Sequence, residues 1–410
     1  MGCIVMERDY YTMDDFSFDG KTVLLRVEFN SPMGPKGEIL DDKRIRESLP
    51  TIKGLEDSKL VLLAHQSRPG KKDFTTMEEH ARRLQKYVKQ NVRYVDDIFG
   101  WNARSHIMNM EKGDVLMLEN VRFYSEETLE QSPEAHSKTH LVKKLAPVAQ
   151  IFLNDAFGAS HRSQCSLVGF TPVLPSGAGR LMEKEIDSLN EALTGGGETI
   201  YVLGGAKVDD SISVTKNVLE KKIASKVLVT GVVANVFMAA SGIRIGKPNM
   251  DFLEKNDYIG QIDLAKTILK AFDGKVVLPS DVAINKDGKR EEINVMDLPT
   301  DYLISDIGQA TILSFSDMIR HADKVIINGP SGIFENPEFS AGTNDILMAA
   351  TRAKFSVIGG GHSSAAVEQL GIEDRISHVS TGGGACIDFL SGKNMPAIEA
   401  LKAAKARIQK

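Results

Sequence analysis

Short apolar runs rich in valine, isoleucine and leucine alternate along this chain with longer segments of mixed charge. Such alternation is typical of βαβ units, whose parallel strands are buried on both faces by the helices that connect them. The pattern therefore predicts an α/β fold with doubly wound, Rossmann-like parallel sheets. The predicted strands cover residues 22–27, 59–64, 115–118, 151–154, 199–203, 226–230, 276–278, 324–327, 355–358 and 378–380.

Apolar residues recur at helical spacing between several of these strands. In the segment 44–56, for example, Ile45, Leu49 and Ile52 lie on one face of a predicted helix. We predict further helices at residues 76–91 and 181–193 and an amphipathic helix at residues 395–410.

The segment 171–180 lies between the two halves of the chain and is rich in proline and glycine. A chain of 410 residues is too long for one typical core, given about 150 residues per domain. We therefore expect two domains, joined by a hinge near Gly177-Ala178-Gly179.

The composition excludes some classes of function. Hydrophobic residues make up 42% of the chain and charged residues 26%, as in ordinary globular proteins. The formal net charge of −5 argues against nucleic acid or an anionic membrane as a partner. Cys3, Cys165 and Cys386 are odd in number and widely spaced, so we expect neither a disulfide framework nor structural zinc. The start of the chain has no signal-peptide pattern, which favours the cytoplasm.

The apolar runs of the first half end in basic side chains. Because ligands bind at the carboxyl ends of parallel strands, these cations are expected to converge. Arginine forks match carboxylate and phosphate geometry, and repelling cations need an anion to hold them together. We therefore predict a site for a small phosphorylated acid. The residues of this basic set are Arg26, Arg44, His65, Arg68, Arg122, His161 and Arg162.

The apolar runs of the second half end in glycine instead. Glycine turns between a strand and a helix let backbone N–H groups approach a phosphate, so we predict a nucleotide site. The turns are Gly204-Gly205-Ala206-Lys207, Gly359-Gly360-Gly361-His362 and Gly382-Gly383-Gly384. Neither a GxGxxG fingerprint nor a GxxxxGK[ST] loop is present at these turns, which argues against a standard dinucleotide fold and a Walker-type NTPase. Lys207 would supply a mobile cation for phosphate oxygens.

Two other functions fit parts of this pattern. A nicotinamide-dependent oxidoreductase would also have alternating strands and glycine turns, although its fingerprint is absent. A non-catalytic protein that clamps a phosphorylated acid between two lobes would share the hinge.

Nine short segments, taken in their order along the chain, indicate a protein family more specifically than any single residue does. The segments cover residues 26–32, 41–46, 65–69, 118–123, 155–162, 204–208, 328–335, 359–361 and 380–385. In this order they resemble the motifs of the phosphoglycerate kinase family, and archaeal-type members most closely.

The resemblance implies an acid-binding domain at residues 1–176 and a nucleotide-binding domain at residues 177–394, with residues from about 395 to 410 packing back on the first. It implies a cytoplasmic enzyme of glycolysis that acts by hinge bending, and a monomer, with a dimer as the alternative. The reaction would be reversible, magnesium-dependent phosphoryl transfer between ATP and the carboxylate of 3-phosphoglycerate, giving ADP and 1,3-bisphosphoglycerate.

The family's site residues carry over by position. Those that would bind the acid are Glu28, Asn30, Arg44, His65, Arg68, Arg122 and Arg162. Those that would bind the nucleotide are Gly204, Gly205, Lys207, Gly332, Glu335, Gly359, Gly360, Gly361 and His362, with Glu335 at the ribose. Arg44 and Lys207 are the catalytic candidates, and no metal-ligating residue is expected.

The chain departs from the common family pattern at four places. Glu28 replaces an aspartate, Gln66-Ser67 replace Leu-Gly, Ser211 replaces a lysine and His362 replaces an aspartate. Two roles stay open for His362, which would either accept a hydrogen bond from a metal-bound water or cap a helix.

Overall fold

A computed structural model describes residues 8–408 of the chain. Its strands form two six-stranded parallel sheets and one three-stranded antiparallel sheet, which confirms the α/β class. The chain divides into two compact units. The first unit runs to Ile186 and resumes at Asn394, and the second unit is Asp187–Lys393.

The first unit contains six strands, each joined to a neighbour in parallel. They are β1 (Thr22–Arg26), β2 (Lys59–Leu63), β3 (Val92–Tyr94), β4 (Val115–Met117), β5 (Ile151–Asn154) and β6 (Ser176–Ala178). Their order across the sheet is β3-β4-β2-β1-β5-β6. All residues of β1, β4, β5 and β6 are buried, because helices cover both faces of the sheet.

The helices up to the unit boundary are mostly short. They are α1 (Lys43–Glu47), α2 (Leu49–Lys53), α3 (Glu78–Gln85), α4 (Trp101–Met108), α5 (Pro133–His136), α6 (His140–Leu145), α7 (Cys165–Val168) and α8 (Arg180–Leu193). The last of them, α8, runs across that boundary. Cores lie on the two faces of the sheet, one around Val23 and Leu25 and the other around Leu24 and Phe152.

Two predicted helices of this unit are shorter than expected. The helix predicted at residues 44–56 is interrupted at Ser48, because Pro50 has no N–H to donate and lies in the first turn of a new helix, α2. The helix predicted at residues 76–91 ends at Gln85, whose side chain donates to the carbonyl oxygens of Val88 and Gln90. The Gln85 side chain also accepts from the Val92 N–H, so it turns the chain into β3.

The predicted hinge segment contains the edge strand β6. Its residues pair in parallel with β5, and Ala178 forms a further bridge with Thr12. A side chain at Gly177 would meet the Phe16 ring at 2.7 Å, so glycine is required there by packing. Asp155 accepts hydrogen bonds from the N–H groups of Leu181 and Met182, at 2.9 and 3.1 Å, and so fixes the start of α8. Hinge bending in this segment stays a prediction.

The second unit repeats the parallel arrangement. Its strands are β7 (Thr199–Leu203), β8 (Lys226–Val229), β9 (Val276–Val277), β10 (Asp281–Lys286), β11 (Lys289–Asn294), β12 (Leu303–Ile307), β13 (Lys324–Asn328), β14 (Phe355–Gly359) and β15 (His378–Val379). The parallel sheet has the order β15-β14-β13-β7-β8-β9. The predicted strands of this half all fall within it.

The helices of the second unit are longer. They are α9 (Val208–Glu220), α10 (Gly231–Ala240), α11 (Lys247–Lys255), α12 (Ile259–Ala271), α13 (Gln309–His321), α14 (Ala341–Ala350), α15 (Gly361–Leu370) and α16 (Gly384–Leu390).

The sequence interpretation missed the small antiparallel sheet β11-β10-β12. A signal was present, because Asp287-Gly288 separates β10 from β11 and this dipeptide favours a two-residue hairpin. Both turn residues have positive φ, 53° at Asp287 and 86° at Gly288, as such a turn requires.

The last helix, α17 (Pro396–Ile408), belongs to the first unit. Small residues allow close packing there, since Ala397 and Ala400 form one apolar cluster with Ala156 and Ala159. The Ala397 N–H also donates to the Ser160 carbonyl oxygen at 3.1 Å.

We predict that Leu401→Ala will lower the free energy of unfolding by about 2–5 kcal/mol, because Leu401 is fully buried and its truncation leaves a cavity. Urea denaturation followed by circular dichroism measures the change. Ile408→Ala is the matched control, since Ile408 is 49% exposed in the same helix, and we expect a loss below about 1 kcal/mol. Equal losses in the two variants would contradict the burial of Leu401.

Candidate functional site

The carboxyl end of the first sheet brings basic side chains together beside the point where the strand order reverses. β1 pairs with β2 on one side and with β5 on the other, so a crevice is expected beyond Arg26 and Asn154. Arg26 is the last residue of β1, and its side chain is fully buried.

The guanidinium of Arg26 is hydrogen-bonded to other buried side chains of the first unit. Its Nε donates to Ser166 Oγ at 2.8 Å, and a terminal nitrogen contacts His65 Nδ1 at 2.8 Å. The buried Glu127 carboxylate accepts from both the N–H and the hydroxyl of Ser166, at 2.7 and 2.6 Å. Burial lowers the pKa of Arg26, while the charges of Glu127 and Glu28 oppose that change. Arg26 is therefore part of the interior of the basic set and is not a free ligand group.

His65 is buried at 2% exposure, two residues beyond β2. Its pKa lies well below the ordinary value of 6.5, first because burial disfavours the imidazolium and then because arginine charges repel it. The arginines that act on it are Arg26, Arg122, Arg162 and Arg44. Four predicted residues of the basic set are thus close enough to share one electrostatic environment.

Glu28 and Arg44 form the ion pair of this site. Arg44 Nη1 lies 3.1 Å from Glu28 Oε1 and donates to the Asn30 carbonyl oxygen at 2.7 Å. The other carboxylate oxygen, Glu28 Oε2, is buried without a hydrogen-bond partner among the described residues. Such an acceptor costs free energy in the protein alone and is available to a hydroxyl donor.

Arg122 contacts the same region from the carboxyl side of β4. One terminal nitrogen donates to the Ser67 carbonyl oxygen and the other lies 3.4 Å from Gln164 Oε1. Burial, with the neighbouring Arg26 and Arg162, lowers the pKa of Arg122 to about 10. The guanidinium therefore stays charged at neutral pH but is poorly solvated.

The other predicted acid-binding residues differ in exposure. Asn30 Oδ1 accepts from the Ser67 N–H at 2.7 Å, and Arg162 Nε lies 3.3 Å from His161 Nε2. Arg68 is exposed, one residue beyond Ser67. The structure therefore brings Glu28, Asn30, Arg44, His65, Arg122 and Arg162 together, whereas Arg68 lies out in solvent.

Local hydrogen bonds compensate for the replacement of the family's usual Leu-Gly by Gln66-Ser67. Ser67 has a φ of 57°, a conformation that favours the glycine usual in the family. Its hydroxyl donates to Asp73 Oδ1 at 2.6 Å, which helps to hold this backbone. The buried Gln66 exchanges two hydrogen bonds with the Ser31 backbone, at 2.9 and 3.0 Å.

In the second unit, backbone segments cross closely at the carboxyl ends of β7 and β13. The Gly204 N–H donates to the Asn328 carbonyl at 2.9 Å, and the Gly205 N–H donates to the Pro330 carbonyl at 2.8 Å. A side chain at Gly204 would collide with Thr230 and with the Pro330 backbone. The glycine at position 204 is therefore required by packing, whether or not a ligand binds.

A cavity of about 300 Å³ opens beside this crossing. Its lining is mainly apolar with a few polar groups, which is typical of sites for small organic ligands. Four predicted residues line it: Gly205, Gly332, Glu335 and His362. Gly204 is buried behind them, and Lys207 is exposed at the residue that precedes α9.

The Gly359-Gly360-Gly361 turn joins β14 to α15. Gly360 has a φ of 88°, and a Cβ on Gly361 would meet no atom within 4 Å, so the loop has an open side. His362 is exposed in the first turn of α15, with its ring 6.0 Å from the Phe334 ring. Ser211 is buried in α9.

Several lining residues were missed by the sequence interpretation. Val282, Ile304 and Ile307 come from the antiparallel sheet, whose hairpin signal was not used. Asn235 in α10 also lines the cavity, and its buried Oδ1 has no partner among the described residues. An asparagine in an otherwise apolar helix face was the available signal.

Asp306 anchors the cavity wall. Its buried carboxylate accepts from Arg290 Nη1 at 2.9 Å and from the Gly342 N–H at 2.8 Å. Burial nevertheless raises the pKa of the Asp306 carboxyl, while the Gly342 N–H and the charge of Arg290 favour its ionised form.

Metal binding and membrane insertion were the two other possibilities for the described residues. They contain no group of three or more His, Cys, Asp or Glu side chains that could hold a metal ion. None of the described helices is long and apolar enough to cross a membrane.

The described residues form an α/β protein of two units, with clustered basic side chains at the carboxyl edge of the first parallel sheet and a mainly apolar cavity in the second unit. The family model described as phosphoglycerate kinase matches residues 13–393. The chain therefore belongs to the phosphoglycerate kinase family, a family of phosphotransferases.

Relatives and solved structures agree with this assignment. The chain is 55% identical over 408 residues to phosphoglycerate kinase 2 of Methanosarcina acetivorans, covering 99% of this chain and 98% of that protein. It is 51% identical over 398 residues to the phosphoglycerate kinase of Methanothermobacter thermautotrophicus, covering 96% and 97%. The crystal structure of the Pyrococcus horikoshii phosphoglycerate kinase matches with a TM-score of 0.90 and 42% identity, covering 97% of this chain and 99% of that one. The resemblance to archaeal members is confirmed.

We predict that Arg290→Ala will lower the free energy of unfolding by about 3–5 kcal/mol, because it leaves the Asp306 carboxylate buried without its cation. Thermal or urea denaturation measures the loss. Lys286→Ala is the matched control in the same antiparallel sheet, where the Lys286–Glu291 pair is exposed on both sides. Its expected effect is below about 1 kcal/mol. A small effect of Arg290→Ala would show that Asp306 is held without this partner.

Proposed function

We propose that this protein catalyses reversible phosphoryl transfer between ATP and the carboxylate of 3-phosphoglycerate, giving ADP and 1,3-bisphosphoglycerate in glycolysis or gluconeogenesis. Membership of the phosphoglycerate kinase family supports the reaction. The observation that carries the assignment of the acid site is the group of four arginines around the buried His65.

The acid is proposed to bind at the carboxyl edge of the first sheet. Clustered arginines repel one another, and a bound phosphorylated acid would relieve that repulsion while forming charge-assisted hydrogen bonds. Arg44, Arg122 and Arg162 are the cations proposed to contact it, with Arg68 joining from solvent. The unpartnered Glu28 Oε2 is available to a hydroxyl of the acid, and Asn30 lies next to this pair.

The nucleotide is proposed to bind in the cavity of the second unit. Apolar residues such as Val282 and Ile304 suit the faces of a purine base, and the exposed Glu335 suits the ribose hydroxyls. The open side of the 359–361 turn suits phosphate oxygens, which backbone N–H groups and a helix N-terminus would stabilise. Lys207 would add a mobile cation.

The chemistry proposed for this site needs alignment and charge dispersal. A carboxylate is already ionised at neutral pH, so no general base is required. The transferring phosphoryl group carries developing charge on its oxygens, which Arg44 and Lys207 are proposed to stabilise.

Magnesium is proposed to enter with the nucleotide. Mg²⁺ is bound in such sites by substrate phosphates and water with one or two protein groups, so the described residues need no three-ligand cluster to accommodate it. When bound, the ion neutralises charge on the phosphates. We also propose a cytoplasmic location and a monomer that acts without nucleic acid or membrane.

An assay of ADP formation from ATP and magnesium tests this function. We expect ADP to form only when 3-phosphoglycerate is present. Binding of both ligands without ADP formation would instead support the two-lobed binding protein considered from the sequence.

We predict that Arg44→Ala will lower turnover by about a hundredfold, because it removes one charge contact proposed for the transition state. Affinity for ATP should be nearly unchanged. Arg46→Ala is the matched control, since Arg46 lies in the same helix and pairs instead with Asp42. Normal turnover in the Arg44 variant would remove Arg44 from the mechanism.

We predict that His362→Ala will leave the magnesium concentration for half-maximal activity unchanged within about twofold, because the ion is carried by the nucleotide. His362→Asp, which restores the residue usual in the family, should lower that concentration. Magnesium titrations at fixed nucleotide measure both. A several-fold increase for the alanine variant would assign His362 to the shell of metal-bound water.

A further inference from the structure

The interior of the first unit contains a chain of four buried polar side chains behind the proposed acid site. It runs from Glu127 through Ser166 and Arg26 to His65. Glu127, Ser166 and Arg26 are completely buried and His65 is 2% exposed. The buried charges of Arg26 and Glu127 are not explained by stability alone, because apolar residues of similar volume are often equally stabilising.

Hydrogen-bond directions along this chain are fixed by chemistry. An arginine side chain has N–H donors and no acceptor, so Arg26 donates to Ser166 Oγ and to His65 Nδ1. The single proton of the Ser166 hydroxyl is then left to donate to Glu127 Oε1 at 2.6 Å. Since His65 Nδ1 accepts, it carries no proton, and the neutral imidazole has its proton on Nε2.

The second ring nitrogen of His65, Nε2, lies on the side of the proposed acid-binding residues. Its Nε2 is 3.8 Å from Glu28 Oε1, which is too long for a hydrogen bond. The charged groups around the imidazole are Arg26, Arg44, Arg122, Arg162 and Glu28. The four cations and burial keep the ring neutral, because both lower the pKa of His65.

We infer that Glu127 and Ser166 are positioning residues that act through Arg26 to fix His65 in the tautomer protonated on Nε2. His65 then presents the Nε2–H donor to the phosphorylated acid. In the other tautomer, a lone pair on Nε2 would face the oxygen atoms of the acid and repel them. Glu127 balances the Arg26 charge, and Ser166 transmits the orientation between them. This inference rests on the acid site of the proposed function.

Nitrogen-15 NMR of the histidine-labelled full chain tests the tautomer directly and requires no substitution. The chain has 9 histidines, and the signal missing in His65→Gln identifies His65. We expect Nδ1 without a proton and Nε2 with one between about pH 5.5 and 8, the range in which an ordinary histidine titrates. A proton on Nδ1, or titration of the ring within this range, would overturn the inference.

Kinetics test whether the buried chain matters for the acid. We expect Ser166→Ala to raise the KM for 3-phosphoglycerate by about tenfold, the size of effect of one hydrogen bond to a charged group, and to leave the KM for ATP unchanged. The His65 signals should also show a mixture of tautomers in this variant. Ser58→Ala is the matched control, because Ser58 is fully buried and its hydroxyl donates only to the Leu55 backbone at 2.8 Å. An unchanged KM for the acid in Ser166→Ala would contradict the role of Ser166.

A pair of substitutions at His65 separates the donor from simple packing. Gln and Met at this position have similar length, and only Gln supplies an N–H near the place of Nε2. We expect a lower KM for 3-phosphoglycerate in His65→Gln than in His65→Met. Equal values would overturn the donor role. Absence of 3-phosphoglycerate-dependent ADP formation in the unsubstituted protein would instead refute the proposed function, while the tautomer measured by NMR would stand.

Discussion

Parallel pairing of the strands is the constraint on which the rest of this structure depends. Two parallel strands cannot be joined by a tight turn, so the chain must cross back over the sheet after each one, usually as a helix. Every strand of a parallel sheet then ends at the same edge. This geometry explains how residues far apart in sequence, such as Arg26, His65 and Arg122, come to act on one another.

The two units use that shared edge in different ways. In the first unit, the edge holds buried and partly buried charges whose mutual repulsion is balanced by Glu28 and Glu127. In the second, close backbone crossings leave room for a cavity with mainly apolar walls. One sheet edge is therefore organised by side-chain charge and the other by backbone geometry.

The sequence predicted ten of the twelve parallel strands but missed β3 and β6, the two edge strands of the first sheet, and it predicted the helix ends poorly. Buried strands such as β5 and β7 are continuous apolar runs, which the hydrophobic pattern detects directly. Helix ends depend on single interactions, such as the Gln85 side chain that ends α3, and periodicity does not record them. The antiparallel strand β11 was missed because its first four residues are all charged and Ile293 is its only apolar residue, so it has no apolar run to detect.

Only part of the site could be predicted, because the sequence shows which residues end the strands but not which side chains cover them. Cations at strand ends were visible in the sequence, whereas the burial of Arg26 and the exposure of Arg68 depend on which neighbours cover each side chain. The apolar walls of the cavity could not be recognised, because residues such as Val282 and Ile304 look like ordinary core residues until the sheets are assembled.

The backbone crossing in the second unit also limits how this chain can diverge. A side chain at Gly204 or Gly329 would meet the backbone of the other segment, and one at Gly231 would lie 2.8 Å from the Gly205 nitrogen. Since main-chain atoms are present whatever residue is encoded, a substitution at one of these glycines has no compensating substitution at another. Divergence of this unit is therefore constrained at Gly204, Gly231 and Gly329 by the path of the backbone itself, whatever side chains the neighbouring positions acquire.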